Sequence, residues 1–397
     1  MADPALPLDG FRVVAFEIAA AGPFCTQLLA DMGADVVKIE RPGTGDTIRG
    51  WDSAVHGLSS GYVWVNRNKR SIAVDVKSDS GKAVMRRLAK RADVFLENFA
   101  PGVVDGLGLG YGDLSALNSR LVYCSISGYG QDGPYRDRKA FDLLIQGEAG
   151  IISSTGYPDA PAKASVPVAD IAAGMYASNA ILMALLQRER TGEGRYIDIA
   201  MFDAMLSWLA YFPHHYWHQG ELPERVGMRH HYVTPYGPFK AKDGRYVNFA
   251  VASPRDWDLF CKRVLQREDM FADERYATVE GRRRHRVELE AVIDEAFASA
   301  DSKVWLERLA EAELPYGSVR DIAEVLDHPQ VLARGMVREV DSPVGPVPVI
   351  ANPIKMSGAE PRHGPIPSLG GDTDDVLHDV GFADDEIASM RADGAVA

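Results

Sequence analysis

The first two hundred residues alternate between short apolar segments and helix-like segments, and this alternation constrains the fold more than any other feature. The apolar segments are typical of buried strands, which we predict at Arg12–Phe16, Asp35–Glu40, Asp93–Glu97 and Leu121–Ile126. Helices are predicted between them, at Phe24–Met32 and Gly81–Arg91, and a longer one follows at Asp170–Arg190. Strands separated by helical crossovers favour an α/β fold with a mostly parallel sheet.

The later part of the chain changes character. The 397 residues suffice for two domains of roughly 100–200 residues each. Residues 1–212 are predicted to belong to a large domain, and residues 213–245, rich in His, Tyr, Pro and Gly, to be a linker. Residues 246–325 are predicted to form a smaller domain. Residues 326–397 hold short predicted strands and a last amphipathic helix.

Composition and charge exclude some classes of protein. The net charge of −13 argues against nucleic acid as the main partner. The N-terminal residues Met-Ala-Asp-Pro-Ala-Leu-Pro lack the basic start and apolar run of a signal peptide. No apolar stretch is expected to reach the roughly 18–20 residues that span a bilayer. Cys25, Cys124 and Cys261 are odd in number and far apart. We therefore expect a cytoplasmic protein with no membrane partner.

Short motifs for other chemistries do not match. The run Gly106-Leu-Gly-Leu-Gly-Tyr-Gly112 fails the G-x-G-x-x-G spacing, so we expect no nucleotide cofactor. His214 and His218 lie one helical turn apart but lack an evident third ligand, so we expect no metal. The serine-containing run at residues 125–130 does not match the G-x-S-x-G elbow of serine hydrolases.

Asp170 allows two interpretations. It lies where a Pro-containing extended segment meets an Ala-rich helix, so it could be an ordinary N-cap. A carboxylate is also ionised at neutral pH without the help of a base, and it can attack an activated acyl group to form a covalent intermediate. The spacing alone does not decide between a cap and a nucleophile.

A series of motifs extends over nearly the whole chain. Those of the first half are Leu8-Asp-Gly, Ala21-Gly-Pro23, Met32–Pro42, Gly45-Asp46, Asn66–Lys77, Glu97-Asn-Phe99, Pro101-Gly102 and Gly128-Tyr-Gly130. Those near the C-terminus are Leu314-Pro-Tyr-Gly317 and Leu369–Asp374. Each is weak alone, but together they resemble the family III CoA transferases, also called the CaiB/BaiF family. That family includes formyl-CoA transferase, carnitine CoA transferase and alpha-methylacyl-CoA racemase.

The resemblance implies a fold and a reaction. It implies a Rossmann-like large domain built from both chain ends, with residues 326–397 as the return linker and the C-terminal part of that domain. The same resemblance implies a smaller α+β domain and an interlocked homodimer. It also implies transfer of CoA from an acyl-CoA to a free carboxylic acid, with acyl-CoA as a substrate and neither metal nor nucleotide cofactor. Asp170 matches the nucleophilic aspartate of formyl-CoA transferase, which forms an aspartyl mixed anhydride and then an aspartyl-CoA thioester.

Binding positions carry over one at a time. Those for CoA are Ala20, Ala21, Arg41, Val74, Asp75, Val76, Lys77, Asn98, Phe99, Ala100, Arg138, Lys139, Ala140 and Phe141. A second carboxylate on the acid would suit Arg49, Arg229, His230 and His231, and Trp51 matches a tryptophan of the formyl-CoA transferase pocket. We therefore expect a small dicarboxylate such as succinate, mesaconate, itaconate or malate.

The sequence also departs from these relatives. Gly106 stands where formyl-CoA transferase has a CoA-binding arginine, and residues 228–232 replace its glycine-rich run. The racemase has a histidine before an aspartate where this chain has Phe141-Asp142, and phenylalanine cannot move a proton. Transfer is therefore favoured over racemisation. An acyl-CoA racemase or isomerase and a non-catalytic CoA-binding protein remain the alternatives.

Overall fold

The computed structural model describes residues 6–397, which form two compact units. The first comprises the described residues up to Gly150, Ala164–Ala210 and Pro329–Ala397, and the second comprises Ile151–Lys163 and Tyr211–His328. The boundaries predicted at residues 213, 246 and 326 stay predictions. Residues 1–5, part of the stretch searched for a signal peptide, lie outside the described residues.

Strands occur in both units. In chain order they are β1 (Arg12–Phe16), β2 (Asp35–Glu40), β3 (Lys69–Ala73), β4 (Val94–Glu97), β5 (Val122–Ser127), β6 (Gly156–Tyr157), β7 (Ala160–Pro161), β8 (Tyr196–Ala200), β9 (Tyr236–Lys240), β10 (Tyr246–Ala250), β11 (Tyr316–Ser318), β12 (Val337–Val340) and β13 (Val347–Ile350).

The α-helices are α1 (Ala21–Asp31), α2 (Ser60–Val65), α3 (Asp79–Arg91), α4 (Val103–Gly106), α5 (Tyr111–Leu117), α6 (Asp142–Glu148), α7 (Ile151–Ser154), α8 (Val168–Thr191), α9 (Met201–Ser207), α10 (Phe212–Gln219), α11 (Pro254–Leu259), α12 (Glu268–Ala272), α13 (Val279–Arg284), α14 (Arg286–Phe297), α15 (Ser302–Glu311), α16 (Ile322–Leu326), α17 (Pro329–Ala333), α18 (Thr373–Asp379) and α19 (Asp384–Ala392). Short 3₁₀ helices lie at Thr47–Gly50 and Glu274–Tyr276, and a π-helix at Phe260–Leu265.

A six-stranded parallel sheet in the order β3-β2-β1-β4-β5-β8 forms the centre of the first unit. The α/β prediction is therefore confirmed. The strand order reverses between β1 and β4, so the carboxyl ends of these two strands form a topological switch point, where open α/β sheets bind ligands. Strands β3 and β8 were not predicted from the sequence.

Two lysines within the strands of this sheet, Lys38 in β2 and Lys69 in β3, have completely buried side chains. Nζ of Lys38 lies 2.8 Å from Oδ2 of Asp46, and Nζ of Lys69 lies 2.8 Å from Oε1 of Glu17. Burial lowers the pKa of Lys69 to about 8 despite the opposing charge of Glu17. Removing one partner of a buried pair leaves an uncompensated charge, which costs ~3–5 kcal/mol. The ends of β1 and β2 are therefore held by ion pairs as well as by apolar packing.

The C-terminal residues complete the first unit at the β3 edge. The N–H of Asp75 donates to the carbonyl of Ala395 at 2.8 Å, and the N–H of Ala397 donates to that of Ala73 at 3.2 Å. Both chain ends thus contribute to this unit, although all six strands of the large sheet lie within residues 12–200.

The second unit contains the antiparallel sheet β11-β10-β9. Aromatic side chains fill its core, where the rings of Phe297 and Trp305 stack with centroids 4.4 Å apart and Phe249 packs against Phe260. Burying large aromatic side chains is a major source of folding free energy.

Helix α8 passes the length and hydropathy requirements for crossing a membrane, with a mean hydropathy of 1.4 over its most apolar window. The prediction that no apolar stretch is long enough to span a bilayer was therefore wrong, as judged by length and composition. Half of that window is buried inside the protein, as in the core helix of an α/β domain.

Candidate active site

A cavity of about 1020 Å³ opens at the carboxyl edge of the large sheet. Residues that follow β1, β2, β3 and β4 form its walls, including Glu17, Arg41, Lys77 and Phe99. The cavity therefore lies at the switch point of the sheet, and its mouth carries cationic side chains that suit an anionic ligand.

The predicted CoA-binding residues divide into two groups. Those that line this cavity are Arg41, Val74, Asp75, Val76, Lys77 and Phe99. Of the others, Ala20 and Ala21 lie buried at the start of α1, and the side chain of Asn98 hydrogen-bonds to Ile18. Ala100 is exposed beside Phe99.

The predicted CoA-binding residues of the loop before α6, residues 138–141, do not line this cavity. The guanidinium of Arg138 lies 3.6 Å from the ring centroid of Tyr135 and 3.9 Å from Oε1 of Glu148, and Lys139 is exposed. Ala140 packs closely on Gly128, because a Cβ added to Gly128 would lie 2.2 Å from the Cβ of Ala140. Phe141 is 70% exposed.

Asp170 is the third residue of α8 and not its N-cap, because the helix begins at Val168. The cap interpretation was therefore wrong. The free N–H of Ala169 instead donates to Oδ1 of Asp142 at 2.7 Å. The first turn of α8 is thus capped by a side chain from α6, which leaves the carboxylate of Asp170 free of the capping role.

Gln146 extends this contact to the segment before α8. Its Nε2 donates to Oδ2 of Asp142 at 2.7 Å, and its Oε1 accepts the N–H of Ala164 at 2.9 Å. Helix α6 therefore holds the backbone at two points on either side of residues 165–168. Sequence reasoning considered Asp142 only in the racemase comparison and missed Gln146; their spacing of four residues on a predicted helix was the available signal.

The carboxyl group of Asp170 lies in a low-polarity environment. Burial, followed by the negative charge of Asp142, raises its pKa to about 7. A substantial share of Asp170 is therefore ionised at neutral pH, and the weakly solvated carboxylate is a stronger nucleophile than one in bulk water.

Close packing of α1 on α8 relates Asp170 to the cavity. A Cβ on Gly174 would lie 2.8 Å from the carbonyl oxygen of Ala21, so only glycine fits at this contact. Asp170 lies one turn, about 6 Å, earlier along α8. Asp170 is not among the residues that line the cavity. Its turn of α8 precedes the contact of Gly174 with the start of α1, and α1 follows the loop that carries the cavity residues Glu17 and Ile18.

The predicted acid-binding residues are engaged elsewhere or exposed. The guanidinium of Arg49 makes two 2.7 Å hydrogen bonds to Glu40, and Trp51 is 57% exposed. Burial would raise the pKa of Glu40, but hydrogen bonds from Arg49 and the charge of Lys38 outweigh it and lower the pKa to about 2. An acceptor carboxylate would have to compete with Glu40 for Arg49.

The other predicted acid-binding residues lie in the second unit. Arg229 pairs with Asp294 at 3.1 Å and Glu290 at 3.6 Å. Burial lowers the pKa of His230 and of His231, which favours neutral rings. Their role in binding an acid stays a prediction.

Within residues 6–397, no group of three or more His, Cys, Asp or Glu side chains is arranged to hold a metal ion.

The fold and the cavity define a doubly wound α/β protein with a ligand site at the switch point of its sheet. The chain matches the family model of CoA-transferase family III over residues 8–373. A CAIB/BAIF family protein from Brucella suis superimposes with a TM-score of 0.84 at 38% identity, covering 95% of this chain and all of that one. The chain therefore belongs to CoA-transferase family III, and the resemblance found in the sequence is confirmed.

Relatives with assigned activities span nearly the full chain. The succinyl-CoA:glutarate CoA-transferase of Homo sapiens is 35% identical over 399 residues, covering 98% of this chain and 90% of its own. The succinate–glutarate CoA-transferase of Agrobacterium fabrum is 39% identical, with coverage of 92% and 93%. The succinyl-CoA:mesaconate CoA-transferase of Haloarcula hispanica is 36% identical, with coverage of 90% and 92%. The prediction that this chain is a CoA-transferase is confirmed.

Proposed function

We propose that this enzyme transfers CoA from succinyl-CoA to a free dicarboxylic acid, with glutarate as the first acceptor to test. The names of the human and Agrobacterium relatives support glutarate, and that of the Haloarcula relative supports a related dicarboxylate. We also expect a cytoplasmic homodimer, as the family resemblance implies.

Asp170 is the proposed nucleophile. Its carboxylate adds to the thioester carbonyl, the C–S bond breaks, and an aspartyl-succinyl anhydride and a CoA thiolate form. The thiolate then attacks the aspartyl carbonyl, which releases succinate and leaves an aspartyl-CoA thioester. The carboxylate of the acceptor repeats these two steps in reverse and departs as its CoA thioester, so the Asp170 carboxylate is regenerated.

The placement of Asp170 carries this proposal. The hydrogen bond from Ala169 to Asp142 holds its turn of α8, and the packing of Gly174 on Ala21 supports a position near the loop that carries the cavity residues Glu17 and Ile18. With its pKa at about 7, the carboxylate needs no separate base. Exchange between activated carboxyl groups of similar energy needs no ATP.

Cations around the cavity would bind the CoA phosphates. Arg41 and Lys77 line it with exposed side chains. We propose that Arg136 supplies the phosphate contact that formyl-CoA transferase makes with the arginine at the place of Gly106. Nη2 of Arg136 lies 3.5 Å from the position that a Cβ on Gly102 would take. A guanidinium group binds phosphate through paired hydrogen bonds, so an arginine from this neighbouring loop suits the task.

The test is mass spectrometry of the protein after incubation with succinyl-CoA and trapping with hydroxylamine. We expect modification on the peptide that contains Asp170 and none in Asp170→Asn. Asp113→Asn is the matched control, because Asp113 is an exposed carboxylate in the first turn of α5. That variant should label like the parent protein.

Transfer is then measured as formation of glutaryl-CoA, with valerate as a five-carbon acid that lacks the second carboxylate. Glutarate should be the better acceptor by at least ten-fold. Full transfer by folded Asp170→Asn, or labelling at another residue, would contradict the nucleophile. Deuterium exchange at the alpha carbon without transfer would indicate an isomerase instead.

A further inference from the structure

The loop between β1 and α1 has an unusual backbone at Ala19. Its φ of 60° lies in the left-handed region, although Ala19 is not a glycine. Such a conformation costs on the order of 1 kcal/mol and persists only where the surrounding contacts hold it. The residues just before it, Glu17 and Ile18, line the cavity.

One side chain binds both polar groups of Ile18. Oδ1 of Asn98 accepts the N–H of Ile18 at 2.8 Å, and its Nδ2 donates to the carbonyl of Ile18 at 2.8 Å. A Cβ on Gly22 would lie 3.1 Å from Cγ of Asn98, so the same amide also packs against the first turn of α1. Asn98 thus links the end of β4 to the backbone between β1 and α1.

A buried carboxylate binds the next residue. Oδ1 of Asp46 accepts the N–H of Ala19 at 2.9 Å and that of Ile48 at 3.1 Å. Its Oδ2 lies 2.8 Å from Nζ of Lys38, and both side chains are fully buried. Since the carboxylate of Asp46 is buried and the bond to Ala19 is partly buried, the Ala19 peptide is held more rigidly than an exposed loop would be.

This loop leads directly to the contact between α1 and α8. Two residues after Ala19, the carbonyl of Ala21 meets Gly174, one helical turn from Asp170. A shift of the loop would therefore move the cavity wall and the start of α1 relative to Asp170. A displacement of ~1 Å at a reacting centre can reduce a rate by ~100-fold.

We propose that Asn98 and Asp46 are positioning residues: they hold the Ile18–Ala19 backbone so that a bound thioester meets Asp170 at reacting distance. This inference rests on the proposed function. It assigns to Asn98 an action through the Ile18 backbone, where the family resemblance implied a direct contact with CoA.

The test compares Asn98→Ala with Asn118→Ala. Asn118 also bridges backbone groups, because its Nδ2 donates to the carbonyls of Ala89 and Ala92 and its Oδ1 accepts the N–H of Arg120. It precedes β5 and so lies at the amino edge of the sheet, opposite the cavity. Both variants should lose similar stability in urea, but only Asn98→Ala should lose activity.

The expected signature separates kcat from binding. Asn98→Ala should form the Asp170 adduct ~10- to 100-fold more slowly in single turnovers at saturating succinyl-CoA. Its Kd for CoA, measured by calorimetry, should change less than threefold, because Arg41 and Lys77 are untouched. Asn98→Asp keeps the acceptor for the Ile18 N–H but loses the donor to the Ile18 carbonyl. Its rate of adduct formation should therefore lie between those of Asn98→Ala and the parent protein. This variant decides the test if Asn98→Ala does not fold.

Three results would overturn the inference. They are an adduct rate equal to that of Asn118→Ala, a loss confined to CoA affinity, and an Asn98→Asp rate equal to that of the parent protein. Failure of the proposed function is distinguishable, since the parent protein would then form no adduct at Asp170 at all.

Discussion

The carboxylate of Asp142 accepts the N–H of Ala169, the residue immediately before Asp170, at 2.7 Å. One acidic side chain therefore orients the helical turn that carries another, and it does so by a bond to the backbone. The same contact brings two negative charges close together. Asp142 thus acts on both the orientation and the pKa of the proposed nucleophile, although burial is the larger cause of the raised pKa.

Replacing Asp142 by Asn should separate these two effects. The amide oxygen can still accept the N–H of Ala169, but the amide NH2 cannot accept from Gln146, and the negative charge that helps burial to raise the pKa of Asp170 is lost. We expect the acidic limb of the pH–rate profile for adduct formation, near pH 7 in the parent protein, to move to lower pH. Asp113→Asn serves as the control and should leave the limb in place. An unchanged limb in Asp142→Asn would show that Asp142 does not influence Asp170.

Asp170→Asn should make the protein more stable at alkaline pH. The folded protein binds more protons than the unfolded chain between pH ~4 and 7, because the pKa of Asp170 is raised to about 7. Its stability contribution therefore falls as pH rises through this window. Asparagine carries no such penalty, so the gain should be near zero at pH 4 and on the order of 4 kcal/mol at pH 8.

Urea unfolding of both proteins at several pH values checks this prediction. Glu97, whose pKa burial raises to about 7, titrates in both proteins and cancels in the difference. A gap that is constant with pH would show that Asp170 titrates normally in the folded protein.

Arg41→Ala and Lys77→Ala should weaken CoA binding without slowing the chemical step. Each side chain lines the cavity, and a hydrogen bond to a charged group contributes ~1.5–3 kcal/mol. We expect each substitution to raise the Kd by roughly tenfold or more, and the Kd to depend less on salt. Calorimetry with CoA at two salt concentrations measures both. Lys90→Ala, at an exposed site in the last turn of α3, should bind CoA normally; equal losses in all three variants would indicate a general effect of net charge.

Gly174→Ala should destabilise the contact between α1 and α8. The added Cβ would lie 2.8 Å from the backbone oxygen of Ala21, which cannot rotate away, and overpacking of this kind costs ~1–3 kcal/mol. Gly112→Ala in α5 is the matched control, because its Cβ would meet open space, and alanine should gain up to ~1 kcal/mol of helix propensity there. Urea midpoints give the comparison. The close contact would be refuted if Gly174→Ala proved as stable as Gly112→Ala.

Local patterns predicted much of the large sheet. Strands β1 and β2 occur where their apolar residues indicated, and the sheet is parallel as their alternation with helices requires. Strand β3 was missed because Lys69 and Arg70 read as a polar segment; Lys69 is buried only because Glu17 supplies its counter-charge. Strand pattern alone cannot anticipate a charge neutralised by a distant residue.

The site was predicted less completely. Family motifs pointed to Asp170 and to the cavity residues Arg41 and Lys77. The sequence pattern also suggested that Asp170 caps α8, but the helix begins two residues earlier, at Val168. Asp142 binds a residue 27 positions later in the chain, and such a contact has no local signature. Its bond to Ala169 depends on how α6 and α8 pack, which only the folded chain specifies.

The pairing of Asp75 with Ala395 joins two segments that lie far apart in the chain. The wall of the cavity at residues 74–77 is completed by the distant segment, and Gly394 itself lines the cavity. Because a ligand stabilises only the state that binds it, a ligand in this cavity also stabilises the contact between the two segments. Detachment of residues 394–397 would therefore be opposed by binding at a site on the other side of that contact.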